Sequence, residues 1–263
     1  MKLISEPLSL LKRIVLGVIG TLGIGLILEV LIRTRVISGA GLPLPSAVVR
    51  QGYHLLGNTA FLTQVFYTLR EWMLGLLIAS VVGVILGGLM GAIPTVFTMF
   101  SLPVEVLRPL PAIAIGPLLL LLLGTSMLPM SLTVAAACVW PILFNAMYAM
   151  RSVDPVAVQT AKTMHVSPLG IMARVRLPAS LPFMFTGIRV SASIGLIVAV
   201  SVELLLGSGG GIGGYILLAS TSASNLDVVY AATAVTGLLG VLVSGLFALA
   251  DRAAFGWKKG LAQ

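Results

Sequence analysis

The chain has 263 residues, of which 58% are hydrophobic and only 9% are charged, and its mean hydropathy is +1.11. Water-soluble domains carry roughly 25% charged residues, so this composition excludes an ordinary soluble domain and predicts a surface that faces lipid. The net charge of +8 does not indicate nucleic acid here, because Lys and Arg gather beside the cytoplasmic ends of membrane spans. The single cysteine, Cys138, excludes an intrachain disulfide and a cysteine metal cluster.

Apolar runs long enough to cross a bilayer recur along the chain, since a helical span needs about 20 residues. The runs are continuously apolar and lack the alternation of barrel strands, so helices are predicted. The expected fold class is therefore all-α, a polytopic membrane protein with about six transmembrane helices. The predicted spans are 11–32, 71–93, 106–123, 128–150, 183–206 and 228–250.

The first apolar run follows a basic N-terminus and superficially resembles a secretory leader. It is longer than a typical leader core and shows no clear small-residue cleavage site, so we interpret it as a retained first span. If both termini are cytoplasmic, the inner segments collect most of the Lys and Arg, whereas the outer loop 207–227 has none. The charge distribution thus favours this orientation.

The segment between the first two predicted spans is more polar than its neighbours. Pro43 and Pro45, followed by Ser46, are typical of the start of a helix. The pattern predicts an amphipathic helix that lies on the outer surface and does not cross the membrane. Its apolar positions are Val48, Val49, Tyr53, Leu55, Leu56 and Phe61.

The second predicted span carries small residues at every fourth position. Such a stripe lets another helix approach closely, because close packing drives helix association inside lipid. Helix packing is the preferred interpretation, and the alternative is that the stripe lines a pathway. The positions are Gly75, Ala79, Gly83, Gly87 and Gly91.

Prolines interrupt the third predicted span. Pro109 and Pro111 lie near its start, and Gly116 and Pro117 lie further along. Each proline removes a backbone donor and weakens the helix locally, so a bend is expected in this span. The bend is either a hinge or a fixed kink.

A basic segment, 152–182, lies between two predicted spans on the predicted cytoplasmic side. Asp154 and Ser167 each precede a proline, which is the pattern of a capped helix start. Leu-Pro pairs that end at Pro178 and Pro182 are expected to stop the second helix. The segment is therefore predicted to form two short helices joined by a turn.

This segment resembles the cytoplasmic EAA loop of permease subunits of binding-protein-dependent ABC importers. The family pattern is EAA, three residues, Gly, nine residues, then I-x-LP. The spacing, the third-position alanine and the final Leu-Pro agree, whereas the first two positions and the glycine differ. The matching positions here are Gln159, Thr160, Ala161, His165, Val175, Leu177 and Pro178.

Flanking features resemble the nitrate, sulfonate and taurine branch of that family, and the resemblance extends from about Leu42 to Trp257. They include Leu-Pro-Leu-Pro-Ser from Leu42, Arg-Ser-Val-Asp-Pro before the loop, and Leu-Pro-Phe-Met-Phe-Thr-Gly-Ile-Arg after it. Glu203, followed by Gly-Ile-Gly-Gly-Tyr-Ile, and the late Trp257 complete the set.

The resemblance implies a MetI-like permease in a bacterial inner membrane, which imports a small solute such as an organic sulfonate, taurine, nitrate or similar anion. It implies a cytoplasmic ABC ATPase dimer, an extracytoplasmic substrate-binding protein and a second permease subunit, forming a homodimer. The matched loop residues would couple to the ATPase, and His165 would adopt the left-handed conformation of the usual glycine. The expected organisation is an N-terminal region of residues 1–66, a permease core 67–251 containing the coupling loop 151–182, and a cytoplasmic tail 252–263.

Glu203 is the acidic residue most deeply placed in a predicted span. A carboxylate there is expected to face a cavity or a positive partner. We therefore expect Glu203 at the outer end of the pathway, paired with Arg70. The alternative is that Glu203 forms a purely structural ion pair. Gly211 and Gly213 belong to a glycine-rich segment that lacks the lysine of a phosphate-binding loop. They are therefore expected at an outer gate.

No catalytic constellation is apparent in the sequence. The two histidines, His54 and His165, fall on opposite predicted sides of the membrane, and no Ser, His and Asp set converges. We therefore expect no enzymatic activity in this chain, no cofactor and no metal. The alternative function is a stand-alone secondary transporter, which would need internal repeats and acidic residues near the middle of the membrane.

Overall fold

The computed structural model describes residues 10–37, 41–207, 210–221 and 226–256, and helices dominate these ranges, with no strand among them. Most of the predicted tail 252–263, including Trp257, lies outside the described residues. A π-helical turn, Met172–Arg176, joins α8 to α9. The helices are α1 (Leu10–Arg33), α2 (Pro45–Leu56), α3 (Thr59–Ala92), α4 (Pro94–Leu107), α5 (Ala112–Leu123), α6 (Met127–Arg151), α7 (Pro155–Thr163), α8 (Pro168–Ile171), α9 (Leu177–Leu206), α10 (Gly211–Ser220) and α11 (Leu226–Phe255).

Five stretches of the described chain are long and apolar enough to cross a membrane, and the bent pair of α4 and α5 could form a sixth span. The five are Val15–Arg33, Thr59–Ala92, Met127–Arg151, Pro168–Leu206 and Leu226–Phe255. The chain is thus an all-α, multi-pass membrane protein, as the composition predicts.

Helices α3, α6 and α9 form the centre of the bundle. Their buried side chains make one apolar cluster, and polar groups join the helices across it. The indole Nε1 of Trp72 on α3 donates to the Ala192 carbonyl on α9 at 2.8 Å. The Ser191 hydroxyl on α9 donates to the Cys138 carbonyl on α6, also at 2.8 Å. Both bonds satisfy polar groups that would be costly to leave unpaired inside lipid.

The small-residue stripe of α3 lies against α6. A Cβ added at Gly75 would lie 2.5 Å from the Ser131 carbonyl oxygen, and one added at Gly91 would lie 2.5 Å from the Met147 carbonyl oxygen. At Gly87 an added Cβ would collide with the Leu143 carbonyl. Gly83 faces the Ile142 side chain, and Ala79 is fully buried in the same contact. The two helices therefore approach each other through their backbones.

The second span begins earlier than the sequence analysis predicts. Helix α3 starts at Thr59, where the Asn58 side chain accepts a hydrogen bond from the Ala60 amide at 2.9 Å. The predicted surface helix is accordingly shorter, since α2 ends at Leu56. Leu55 and Phe61 face neither lipid nor water, because both are buried against α10 and α11. Val49, Tyr53 and Leu56 are exposed, so only part of the amphipathic pattern reflects contact with other helices.

The bounds of the predicted third span, 106–123, are wrong, because the chain breaks near its start and a bent pair of helices takes its place. Helix α4 ends at Leu107, α5 begins at Ala112, and the two are bent by 91°. Pro109 and Pro111 cannot donate backbone hydrogen bonds, and the residue before a proline disfavours helical angles. The expected bend therefore lies at these two prolines, whereas Pro117 lies inside α5.

The Leu-Pro pairs do not stop a helix, so that prediction is also wrong. Helix α9 begins at Leu177 and continues through Pro178 and Pro182 to Leu206. Pro178 lies directly after the π-helical turn, at the second residue of α9. Pro182 forfeits one hydrogen bond but is itself buried in the bundle. The second predicted short helix thus merges with the fifth predicted span.

Candidate functional site

The segment between α6 and α9, residues 152–176, is called the inner loop below. Its two helices begin as the sequence predicts. The Asp154 carboxylate accepts a hydrogen bond from the Val156 amide at 2.8 Å, and Pro155 follows at the first helical position. The Ser167 hydroxyl accepts from the Gly170 amide at 3.1 Å. Each side chain satisfies one of the amides that a helix start leaves without a partner.

The turn that ends α7 is a Schellman motif, in which two amides bond back to the last turn of the helix. The Val166 amide donates to the Ala161 carbonyl at 3.1 Å, and the His165 amide donates to the Lys162 carbonyl at 3.0 Å. His165 adopts a φ of +57°, the left-handed conformation that the sequence analysis expects at this position. The turn is therefore fixed by the backbone itself.

The inner loop has a small apolar core of its own. Val158, Ala161 and Ile171 are buried there, and Val153, Val166 and Val175 pack around them. Ala161, only 8% exposed, therefore faces inwards, as Val175 partly does. The other predicted coupling residues are exposed: Gln159, Thr160 and His165 on or beside α7, and Leu177 and Pro178 at the start of α9.

An exposed stripe runs along the side of α7 that faces away from the small core of the inner loop. Val156 and Met164 are 64% and 73% exposed, although both are apolar. Thr160 lies midway between them, and a spacing of four places all three on one face. Exposed apolar side chains that lie together outside the spans can contact another protein. Val156 and Met164 were not among the coupling residues predicted from the sequence, although their spacing around Thr160 would have indicated them.

A second polar arrangement holds the start of α10 at the other end of the bundle, and it is called the outer cap below. The Gly211 amide donates to Gln64 Oε1 at 2.7 Å, and the Ile212 amide donates to Thr68 Oγ1 at 2.9 Å. The Gly213 amide donates to Glu203 Oε2 at 2.8 Å. Thr68 Oγ1 also donates to Glu203 Oε2, at 3.0 Å. Three successive amides thus bond to side chains of α3 and α9, and the carboxylate suits the positive end of the helix.

Glycine is required at two positions of the outer cap. Gly211 has a φ of +86°, and a Cβ there would collide with the Glu203 carboxyl group. A Cβ at Gly213 would collide with the Val200 carbonyl on α9. The structure therefore brings together Glu203, Gly211 and Gly213, which the sequence analysis singles out separately.

Glu71 is a further member of the outer cap that the sequence analysis missed. It is 7% exposed, and its carboxyl group lies near that of Glu203, which is 1% exposed. Glu71 Oε2 and Glu203 Oε1 have no hydrogen-bond partner among the described residues. The spacing of Gln64, Thr68 and Glu71 places them on one face of α3. That spacing could have revealed the group, but the second span was predicted to begin only at residue 71.

The expected pairing of Arg70 with Glu203 is wrong. Arg70 Nε donates to Met127 Sδ at 2.9 Å, and its side chain is directed towards the start of α6. Arg70 and Glu71 are consecutive on α3, so their side chains leave the helix about 100° apart. Only the face that carries Glu71 and Thr68 is turned towards Glu203.

Helices α3 and α9 connect the two sites. Helix α3 carries the outer cap near its start and contacts the end of α6, next to the inner loop, at Met90, whose carbonyl accepts from Arg151 Nη2 at 3.4 Å. From Glu71 to Met90 the helix spans ~30 Å, at 1.5 Å per residue. Helix α9 runs from the inner loop at Leu177 to the outer cap at Glu203. A displacement of the inner loop therefore has a direct mechanical route to α10.

Comparison with known proteins adds a second line of observation. A family model described as "Binding-protein-dependent transport system inner membrane component" matches residues 79–255. A putative ABC transporter permease protein of Methanocaldococcus jannaschii is 33% identical over 223 residues, 83% of each chain. The taurine transport system permease protein TauC of Escherichia coli is 29% identical over 241 residues, 89% of this chain and 87% of that protein.

A solved structure of the MetNI methionine ABC transporter, in an inward-facing conformation, has a related fold. Its TM-score is 0.65 at 17% sequence identity, and the match covers 74% of this chain and 95% of that one. The likeness at this identity concerns the fold.

Proposed function

We propose that this chain, which belongs to the family of binding-protein-dependent transport system inner membrane components, forms the solute pathway of an ABC importer. A separate ATPase in the cytoplasm hydrolyses ATP and drives the conformational change. An extracytoplasmic binding protein delivers the solute to the outer end of the bundle. The chain itself carries out no hydrolysis.

One observation carries the proposal: a short helix with an exposed apolar stripe is held rigidly between two membrane helices. The side chains of Asp154 and Ser167 cap the two helix starts, and the buried Ala161 packs α7 against α8 and the π-helical turn that leads into α9. A protein that binds Val156, Thr160 and Met164 therefore moves the ends of α6 and α9 with α7. Coupling of a partner's ATP cycle to a membrane bundle requires such a rigid connection.

The outer cap supports a gate at the opposite end. Helix α10 has ten residues, so it is too short to cross the membrane, and it is fixed to α3 and α9 by Gln64, Thr68 and Glu203. In our proposal α10 closes the outer end of the pathway. It follows α3 and α9 when the ATPase acts on the inner loop.

The proposed orientation places both termini in the cytoplasm of a bacterial cell, with the chain in the inner membrane. Arg151, Lys162, Arg174 and Arg176 all lie in or beside the inner loop, whereas α10 has no charged residue. Positive residues of short loops remain on the cytoplasmic side. The core 67–251 and the cytoplasmic tail 252–263 belong to the same proposal.

For the solute, we propose a small anion of the sulfonate, taurine or nitrate type. The support is the sequence resemblance to that branch and the likeness to a taurine transport permease. A second copy of this chain would complete the pathway as a homodimer, because the ATPase partner acts as a dimer. The binding protein would make most of the selection among these anions.

The test is purification of the tagged chain from its native membrane, followed by reconstitution into liposomes. We expect an ABC ATPase to co-purify, and ATP-dependent uptake of labelled taurine, alkanesulfonate or nitrate once the binding protein is added. Uptake of solute by the chain without any ATPase would overturn the proposal and favour a secondary transporter. Recovery of the ATPase without uptake of any of the three anions would reject only the proposed solute class.

A further inference from the structure

A cationic groove lies between the inner loop and the inner end of the bundle. It has a volume of about 580 Å³, and its walls come from the end of α3, the start of α4, the end of α6 and one side of α7. This side of α7 carries Gln159 and Lys162, and it differs from the stripe formed by Val156, Thr160 and Met164. The groove therefore shares only Gln159 with the predicted ATPase-coupling residues, and none of its lining belongs to the exposed stripe.

Three cations from three elements line this groove, and no acidic residue does. They are Arg151 at the end of α6, Lys162 on α7 and Arg176 in the π-helical turn. The ion pairs found in the described residues of the chain are Glu29 with Arg33 and Asp251 with Arg189, so none involves these three cations. The groove thus concentrates positive charge that no side chain of the described chain neutralises.

Arg151 is held in place before any ligand binds. Its guanidinium lies over the Phe97 ring, 4.0 Å from the centroid, and Nη2 donates to the Met90 carbonyl at 3.4 Å. A guanidinium has five N–H donors, so several remain for an anion. Arginine fixed in this way suits the oxygens of a phosphate group, to which it can bond through two parallel N–H groups.

The groove adjoins a surface that is suited to lipid. Helix α4 contributes to its wall at Pro94 and Phe97, and further along α4 the apolar side chains of Met99, Leu102 and Val106 are exposed. Because α4 is bent by 91° from α5, it does not run parallel to that helix towards the outer side. Helix α4 packs along the last turns of α6, from Phe97 beside Arg151 to Arg108 over Phe144, so its exposed apolar face extends away from the groove.

We infer that this groove binds the phosphate-bearing headgroup of an anionic phospholipid in the leaflet next to the inner loop. The headgroup lies among Arg151, Lys162 and Arg176, and the acyl chains follow the exposed face of α4. Basic pockets between membrane helices bind anionic headgroups by this combination of charge and apolar contact. Only the identity of the leaflet depends on the proposed orientation. The lipid would rest behind α7 and set its distance from the bundle.

The experiment measures retention of phosphatidylglycerol and of phosphatidylcholine by the purified full-length chain in detergent, using native mass spectrometry. The variant is Arg176→Gln, and the control is Arg174→Gln, which removes the same charge two residues away but lies outside the groove. At about 1 kcal/mol per cation near a membrane surface, we expect Arg176→Gln to weaken phosphatidylglycerol binding about fivefold. Arg174→Gln leaves the affinity within about twofold.

The double variant Lys162→Gln with Arg176→Gln is expected to lose about thirtyfold, if the two contributions add. If Arg176→Gln does not elute as a folded protein, Lys162→Gln is compared with Arg174→Gln instead, because Lys162 is exposed and its substitution does not disturb the core. Equal weakening by Arg174→Gln, or equal retention of phosphatidylcholine, would overturn the inference. Displacement of phosphatidylglycerol by millimolar inorganic phosphate would also overturn it, because a soluble anion would then be the occupant. Weaker capture of the partner ATPase by Arg176→Gln, with lipid retention unchanged, would assign the groove to the ATPase.

Discussion

Helices α7 and α10 are both short and lie at opposite ends of the bundle. Side chains bond to the N-terminal amides of each helix, but these side chains differ in how far along the chain they lie from the helix. In α7 the acceptor is Asp154, two residues from the amide that it binds. In α10 the acceptors are Gln64, Thr68 and Glu203, and the first two are more than 140 residues away in the chain. One helix is stabilised locally, and the other is stabilised only within the assembled bundle.

This difference has a mechanical meaning. A locally capped helix keeps its shape whatever the bundle does, so α7 can transmit a force without unfolding. A helix capped by two spans holds its place only while those spans keep their relative position. We therefore expect α10 to respond to a displacement between α3 and α9, and α7 to cause one.

The largest effect is expected where the rigidity of α7 is removed. Ala161→Pro deletes a backbone donor in the middle of α7 and introduces a ring against the preceding turn, at a cost of about 3 kcal/mol. We expect this variant to assemble in the membrane but to lose all ATP-dependent uptake. The measurement is uptake into proteoliposomes together with ATPase activity stimulated by the binding protein.

Ala157→Pro is the matched control for that variant. Residue 157 lies in the first turn of α7, where no intrahelical hydrogen bond is lost. It should retain most of the uptake. Normal stimulated ATPase activity in Ala161→Pro would show that α7 need not be rigid and would contradict the proposed coupling.

The next largest effect is expected at the outer cap, from a single added methyl group. Gly211→Ala places a Cβ against the Glu203 carboxyl group at a residue with a φ of +86°. Left-handed backbone alone costs about 1–2 kcal/mol for alanine, and the collision adds to it. We expect a lower midpoint of thermal unfolding in detergent and at least tenfold slower uptake.

Gly214→Ala makes the same chemical change on the same helix, where a Cβ would meet nothing within 4 Å. It should match the wild type in both measurements. If Gly211→Ala and Gly214→Ala behaved alike, the outer cap would not depend on close approach of Glu203 to α10.

A smaller effect is expected from removal of the local cap of α7. Asp154→Ala leaves the Val156 amide to water, because this helix start is exposed, and the typical cost of losing such a cap is about 1 kcal/mol. Uptake should fall by less than about fivefold. Asp154→Asn, which retains the acceptor oxygen, should restore the wild-type rate. Equal loss in both variants would indicate that the charge of Asp154 matters more than its hydrogen bond.

The smallest effect is expected at the turn of α7. His165→Gly relieves the strain of a side chain at a φ of +57°, although glycine also gains freedom in the unfolded chain. These contributions oppose each other, so stability should change by less than about 1 kcal/mol. Uptake should remain at the wild-type rate. His165→Val should be clearly less stable, because a β-branched residue disfavours this conformation.

Features that depend on neighbouring residues in the chain were predictable from the sequence. The starts of α7 and α8 follow from Asp154 and Ser167 with their prolines, and the left-handed turn follows from the spacing that ends at His165. The apolar runs indicated the fold class for the same reason, since each span must satisfy its own backbone hydrogen bonds.

Features that depend on tertiary contact were not predictable in the same way. Glu71 joins Glu203 only because α3 begins at Thr59 and extends the span outwards by several turns. Pro178 and Pro182 were expected to end a helix, but burial of α9 against α6 and a π-helical turn keep the helix continuous. In each case packing between distant helices overrides a local preference.

The π-helical turn at Met172–Arg176 has a consequence for how relatives of this protein can diverge. Such a turn amounts to one additional residue within an otherwise α-helical path, and one residue corresponds to about 100° of rotation around a helix axis. Loss of one residue there would rotate α7 by about 100° around the axis of α9. The side chains of α9 that are buried in the bundle would keep their positions. A relative could thus redirect the exposed stripe of α7 by losing one residue, without a change in the packing of α9 against the other helices.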